Sequence, residues 1–414
     1  MKRAFVLRRA GFSLIELLVA MVIGLVVTLA ITSVMIRGEG AKRSTTSVND
    51  LNQNGAYAAY LLDRVVRSAG SGFSQSWDTT YGCLLSVSQG AAAVLPLPAA
   101  IPASSAFARV TQPIRLAPVI IGKGLADSTA PAQVRGDVLV VMGGTGGFTE
   151  IQQPVTPASV SVAGMSLQNA LGYGTNDLLL LADTSVPAGC MMQQVGIRNR
   201  ATSGPTLPFG GSGTNYYGGS TTYVGTTTSP VALTAFGGST IALQLGNAAT
   251  NPPQFRLYGV GSNNTLVSYD LLQPAPQDDS PLADGVVEMR ALYGVDTTVP
   301  PDGVVDSWVD PIAGSGYEAS VLTDGSAVSQ SKLRQISALR VGFFLRTSLQ
   351  ERPRDRFGVD MTPTEVSALS TTLTLFGDLG GAFPQTRTIS GSDNLFRYRT
   401  VEATVPLRNV LMAP

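Results

Sequence analysis

The hydrophobic pattern divides the chain into three stretches of different period. From Phe12 to Ile36 the only ionisable residue is Glu16, and Arg37 closes the run. Leu17 to Ile36 alone is 20 residues, which at about 1.5 Å per residue spans roughly 30 Å, one bilayer core. From Val48 the period changes. Val48, Leu51, Gly55, Ala58, Leu62, Val65 and Ala69 recur at intervals of three and four, while Asp63, Arg64 and Arg67 take the other side. This spacing predicts that the helix continues with one face against its own domain, and "SAGSG" at 68–72 stops it. Gly24, Gly38 and Gly40 are soft points along the way.

Beyond residue 70 the apolar runs are short and bounded by turn residues, as strands are. They are "GDVLVVMGG" (136–144), "NDLLLLADT" (176–184), "FRLYGV" (255–260), "TLVSYDLL" (265–272), "ISALRVGFFLRT" (336–347) and "YRTVEATVPLRN" (398–409). In the last, Val401, Ala403, Val405 and Leu407 alternate with other residues, and Pro406 predicts an edge position. Residues 201–255 are free of Asp, Glu, Lys and Arg up to Phe255 and rich in Gly, Ser and Thr. They could form a disordered loop, a glycine-rich β excursion or a binding surface. The reading favoured is a variable surface insertion, and Tyr216, Tyr217 and Tyr223, if exposed, would suit carbohydrate or protein contacts.

Composition narrows the chemistry. The 414 residues, 44% of them hydrophobic, are enough to bury a sizeable core. Lys plus Arg and Asp plus Glu are both 28, so no basic field points to nucleic acid. Gly at 45 and Pro at 25 suit a turn-rich, mostly β protein. Histidine is absent, which removes Ser-His-Asp triads, Cys-His pairs and HExxH zinc sites together. Cys83 and Cys190 are too far apart for a CxxC motif and leave one disulfide pairing, with two buried free thiols as the alternative.

Two further clusters have some features of binding sites. "GGTGGF" (143–148) follows a strand but lacks the spacing of a dinucleotide fingerprint and has no Walker lysine, so it reads as a strand-to-loop turn. Asp296, Asp302, Asp306 and Asp310 crowd one loop, a density that can hold calcium. Their spacing fails the EF-hand pattern and two prolines interrupt it, so Asp296, Asp302 and Asp306 are a weak calcium candidate beside an ordinary polar turn.

The start of the chain carries a resemblance. Lys2, Arg3, Arg8 and Arg9 precede Gly11-Phe12-Ser13-Leu14-Ile15-Glu16-Leu17-Leu18-Val19-Ala20, and this segment resembles the type IV prepilin signal. A secretory signal peptide fits less well, because the apolar run is too long and no A-x-A-like site follows it. A plain signal anchor leaves Gly11, Phe12 and Glu16 unexplained. The resemblance implies cleavage between Gly11 and Phe12 by prepilin peptidase and N-methylation of the Phe12 amine. Phe12 and Glu16 are four residues apart, on one helix face. In the family, the carboxylate meets the amine of a neighbouring subunit and so sets axial register; the sequence itself leaves pairing within or between chains open. "LLDRVVRSAGSGF" (61–73), "LADGVVEMRALYGVD" (282–296) and "YRTVEATVPLRN" (398–409) are similar to PilW-type minor pilins.

The expected fold is therefore α+β. A long N-terminal hydrophobic helix would pack on an antiparallel β-sheet, with an enlarged β-rich periplasmic head. The expected divisions are a prepilin leader (1–11), a transmembrane and assembly helix (12–69) and the head (70–414) carrying the 201–255 insertion. The resemblance implies a minor pilin that primes type IV pilus assembly and enters the filament near the tip. The alternatives are a J-type minor pseudopilin of type II secretion and a pilus-borne adhesin. The expected partners are other minor and major pilins, prepilin peptidase and the inner-membrane assembly platform. The chain would lie in the inner membrane with its head in the periplasm, and then in the filament. No enzyme activity, cofactor or nucleic-acid partner is expected. If Gly11 supplies the small residue the peptidase requires, Gly11→Val leaves the full precursor in the membrane fraction. Intact mass checks this: loss of residues 1–11 in that variant contradicts the processing site.

Overall fold

In the computed structural model, the described residues are 13–90, 92–96, 101–110, 113–126, 135–145, 151–183, 189–199, 203–211, 216–219, 221–223, 230–273, 277–351 and 360–412. One helix dominates. It runs from Leu14 to Arg67, 54 residues, or about 80 Å at the α-helical rise. Ser13 caps its start, and at its end the Ser68 N–H donates to the carbonyls of Val65 and Val66. The chain then turns through Gly70 and Gly72, both at positive φ. Contrary to the expected soft points, the helix passes Gly24, Gly38 and Gly40 without a break. A single helical glycine costs only about 1 kcal/mol, too little to melt a segment flanked by good helix formers.

The helix has two halves with different surroundings. From Leu14 to Ile36 nothing of the head touches it. From Ser47 onward one face is buried, in the order Ser47, Leu51, Gly55, Ala58, Leu62, Val66 and Ala69. The stripe follows the expected spacing with two departures: Ser47 rather than Val48 is buried at its start, and Val66 rather than Val65 is fully buried near its end.

This face sits on a four-stranded antiparallel sheet. Its order is Ser307–Val309, Val286–Val295, Ile336–Arg346 and Tyr398–Pro406. The last strand is at the edge, as Pro406 implies. Leu339, Val341, Phe343 and Leu345 belong to the core shared with the helix, whereas Phe344 joins Leu292, Leu375 and Phe376 in a separate cluster. This is the two-residue alternation of a strand buried on both faces. The second face is covered by the hairpin Ser370–Leu375 and Gln385–Ser390. Closest approach falls at Gly55, where an added Cβ would lie 2.3 Å from Leu345 Cδ1 and 3.2 Å from Val401 Cγ2. Polar ties flank this contact. Ser44 Oγ donates to Glu351 at 3.0 Å, Asn54 donates to the Asp284 carbonyl at 3.2 Å, and Arg399 donates to Asn52.

A five-stranded antiparallel sheet follows. Its order is Ser280–Asp284, Thr265–Asp270, Gln254–Val260, Val138–Gly143 and Val119–Gly122. Buried Asp137 fastens it to the four-stranded sheet by accepting the N–H groups of Gly124 and Ala291, both at 3.0 Å, beside Lys123 and Arg290.

A six-stranded sheet completes the head. Its order is Ala92–Leu95, Leu84–Gln89, Gly189–Gln194, Asp177–Asp183, Thr240–Asn247 and Gln153–Pro154. One pair in this sheet differs from the rest: Leu84–Gln89 and Gly189–Gln194 are parallel. The long stretch of chain between them supplies the crossover that a parallel pair requires. The "LLLL" run is buried on both faces. Leu178 and Leu180 enter the main core, while Leu179 and Leu181 enter a second one with Tyr173, Met165 and Phe236.

The 201–255 segment is the larger correction. Thr240–Asn247 is an interior strand of the six-stranded sheet, with Leu243 and Leu245 buried. Thr206–Pro208 pairs with Gly164–Ser166, and Thr221–Tyr223 with Pro230–Ala232. In its interior strand, at least, the missing charge reflects burial rather than a bland surface. Tyr216 is partly exposed, but Tyr217 is buried and donates its hydroxyl to the Leu272 carbonyl at 3.0 Å. The Tyr223 side chain and residues 146–148 of the glycine-rich turn lie outside the described residues.

The contact at Gly55 generates a prediction. Gly55→Leu overfills the seat between Leu345 and Val401, and overpacking of this kind costs about 1–3 kcal/mol. Thermal unfolding followed by near-UV circular dichroism should show a lowered Tm. An unchanged Tm would mean that the helix does not seat on the sheet at this residue.

Candidate assembly site on the N-terminal helix

The sequence Ser13-Leu14-Ile15-Glu16 forms a capping box. Ser13, in extended conformation (φ −74°, ψ 148°), accepts the Glu16 N–H on its hydroxyl at 3.2 Å. The Glu16 carboxylate accepts in return from the Ser13 N–H and the Ser13 hydroxyl, both at 3.0 Å. The first-turn position also sets the negative charge against the positive end of the helix dipole. Gly11 and Phe12, the cleavage and methylation residues implied by the prepilin resemblance, lie outside the described residues.

Behind this cap, Leu14–Ile36 is 23 residues with a mean hydropathy of 2.8. Every large apolar side chain on it is between 49% and 79% exposed. Its hydroxyls bond back to the helix itself. Thr28 donates to the Gly24 carbonyl at 2.9 Å, Thr32 to Thr28 at 2.8 Å and Ser33 to Ala30 at 2.8 Å. These side chains need no water, which suits an apolar surrounding. Glu16 is thus the one ionisable group on a long apolar rod, and its hydrogen bonds are all to Ser13.

The other candidate residues have structural partners. Cys83 and Cys190 form a disulfide with Cα atoms 5.7 Å apart. Cys83 directly precedes the strand Leu84–Gln89, and Cys190 lies in register with Leu85 on the parallel neighbour. The bond fixes the first strand after the helix to the centre of the six-stranded sheet.

The aspartate loop closes on its own backbone. Asp296 accepts the N–H groups of Thr298 (3.1 Å) and Gly303 (2.7 Å), and Asp302 accepts that of Val304 (2.9 Å). Asp306 accepts the N–H and hydroxyl of Thr297 at 2.7 and 2.9 Å, and these bonds, the backbone one first, hold its carboxyl below the usual range. Asp310 pairs with Lys123 at 2.7 Å. Among the described residues no group of three or more Asp, Glu, His or Cys is arranged to hold a metal ion, so the calcium candidate Asp296, Asp302 and Asp306 is not assembled as a ligand set.

The cap has its own signal in the sequence, S-x-x-E ahead of an apolar run. The partners of Ser44, Asn52 and Asn54 carry no comparable local signal, because Glu351, Arg399 and Asp284 lie hundreds of positions away.

Two family profiles match the chain. The prokaryotic N-terminal methylation motif matches residues 7–32, and type IV pilus-assembly protein W matches residues 257–409. Searches among curated proteins and among solved structures each gave no significant match. The capped apolar helix and the β-rich head it seats on are those of a type IV pilin-like protein. The two matches support a type IV pilin-like protein whose residues 257–409 are similar to type IV pilus-assembly protein W. The two matched segments cover much of the exposed half of the helix and the sheet under its buried half.

The disulfide carries its own prediction. Closing a loop of 107 residues stabilises by up to about 4–5 kcal/mol in the chain-entropy description. Cys83→Ala with Cys190→Ala should therefore lower the denaturant midpoint by a matching amount. Peptide mapping of the native wild type without reductant should find neither thiol alkylated; two alkylated thiols would refute the bond.

Proposed function

We propose that this type IV pilus minor pilin is held in the inner membrane by Leu14–Ile36, with its head in the periplasm. Its role is structural rather than catalytic: with other minor pilins it primes filament assembly and enters the filament near the tip. Prepilin peptidase would remove residues 1–11, and the inner-membrane assembly platform and the major pilin would be its further partners.

The observation that carries this reading is the rod itself. An apolar helical stretch that is exposed among the described residues, with one carboxylate at its capped end, suits transfer from lipid to a bundle of like helices. In the isolated subunit Ser13 occupies the Glu16 carboxylate. In the filament the Phe12 amine of a neighbour would take that place, at one axial stagger. The carboxylate's position favours insertion too. A charge at mid-bilayer costs up to about 3 kcal/mol on insertion scales, whereas Glu16 sits at the end of the span. The match to type IV pilus-assembly protein W favours a pilus over a secretion pseudopilin. The burial of Tyr217 and of Thr240–Asn247 leaves less of 201–255 for an adhesive surface.

The capping box sharpens the test, because Glu16 could act through the cap alone. Glutamine also serves at the third position of a capping box, so Glu16→Gln keeps the cap and removes the charge. Ser13→Ala weakens the cap by about 1 kcal/mol and keeps the charge. Charge pairing predicts that Glu16→Gln accumulates in the membrane and is depleted from sheared pili, while Ser13→Ala is incorporated. Wild-type incorporation of Glu16→Gln, or loss of Ser13→Ala alone, contradicts it.

A further inference from the structure

The head contains a cavity of about 220 Å³ that the assembly role does not use. Its floor is one face of the five-stranded sheet at its edge, where Ile120 pairs with Val140 and Gly122 with Val138. Ile114 and Leu125 form walls, and Ala319, at the start of the short helix Ala319–Leu322, closes one side. The lining is mostly aliphatic, with Thr323 as a neutral polar member and Arg109 and Arg115 as its two charges; among the described residues none that lines it is acidic.

The two guanidinium groups differ in how they are held. Arg115 is only 9% exposed and donates one arm to the Gly82 carbonyl at 2.9 Å. The acid that acts on its charge is Asp324, which is not part of the lining. Arg109 has no ion pair among the described residues, and its Nε is buried without a hydrogen-bond partner. A buried donor left unsatisfied is costly, and a concave apolar site with a few convergent polar groups is the usual form of a small-molecule site. A molecule that fills both requirements has an aliphatic body and an anionic head able to accept from a guanidinium.

We propose that this cavity binds a short aliphatic carboxylate, its chain against Ile120, Val138 and Val140 and its carboxylate on Arg109 and Arg115. The full-length protein in lipid nanodiscs can be titrated with hexanoate, whose short chain keeps it mainly in water, and followed by ligand-observed NMR. Hexanol provides the same chain without the charge. The expected result is saturable hexanoate binding, weaker by about tenfold or more for hexanol and for Arg109→Gln, as loss of a charge-assisted contact implies. Val140→Phe, which fills the floor, should abolish it. Arg109→Gln removes a side chain with no hydrogen bond or ion pair among the described residues, so its Tm should equal that of the wild type and it decides the matter even if Val140→Phe fails to fold. Absence of saturable hexanoate binding, equal binding of hexanol, or unchanged binding by Arg109→Gln would overturn the proposal.

Discussion

The structure depends on one helix being satisfied on only half of its length. From Ser47 to Ala69 the helix buries a stripe against the head, and from Leu14 to Ile36 it buries nothing. Apolar surface of that extent is strongly unfavourable in water, at roughly 25 cal/mol for each Å² exposed. A bilayer or a bundle of similar helices removes the penalty, and both are surroundings without water. The same rod can therefore serve as anchor and as assembly element, with no change of its own fold.

The head completes that division of labour. Its four-stranded sheet receives the helix at Gly55, where the missing side chain allows the backbone to approach Leu345 and Val401. Around this contact the ties come from distant parts of the chain: Glu351 to Ser44, Asp284 to Asn54, Arg399 to Asn52. The five-stranded sheet is locked to the same platform through Asp137, and the six-stranded sheet is stapled by Cys83–Cys190. The matched family segments coincide with the parts this mechanism needs, residues 7–32 and 257–409. The six-stranded sheet, from Leu84 to Asn247 and outside both matches, adds the bulk of the enlarged head.

Much of this was legible from residue order. Helix periodicity placed Leu51, Gly55, Ala58, Leu62 and Ala69 on the buried face, because a 3.6-residue repeat is local and needs no tertiary knowledge. Pro406 placed its strand at an edge because it lacks an N–H to donate. Other features were not legible for equally physical reasons. An uncharged, glycine-rich segment reads as surface loop, yet Thr240–Asn247 pairs along Asp177–Asp183 and, at Ile241 and Ala242, with Gln153–Pro154, and Leu243 and Leu245 enter the main core. The parallel pairing of Leu84–Gln89 with Gly189–Gln194 depends on chain direction over a long crossover, which no local pattern encodes. At the site, Glu16 stood out by its charge, whereas its hydrogen bonds to Ser13 depend on helix-end geometry. The aspartates of 296–310 looked like ligands by density alone; Asp296, Asp302 and Asp306 accept the loop's own N–H groups, and Asp310 pairs with Lys123.

The central claim is that the exposed half of the helix finds its partner in other subunits. Leu25, 68% exposed at the middle of the span, is the place to ask. A photo-crosslinking amino acid at position 25 should join this protein to the N-terminal helices of other pilins in cells that assemble pili. The same probe should give only lipid adducts or monomer when the assembly motor is absent. If the adducts at position 25 are the same with and without assembly, or join only to the protein's own head, the account is contradicted.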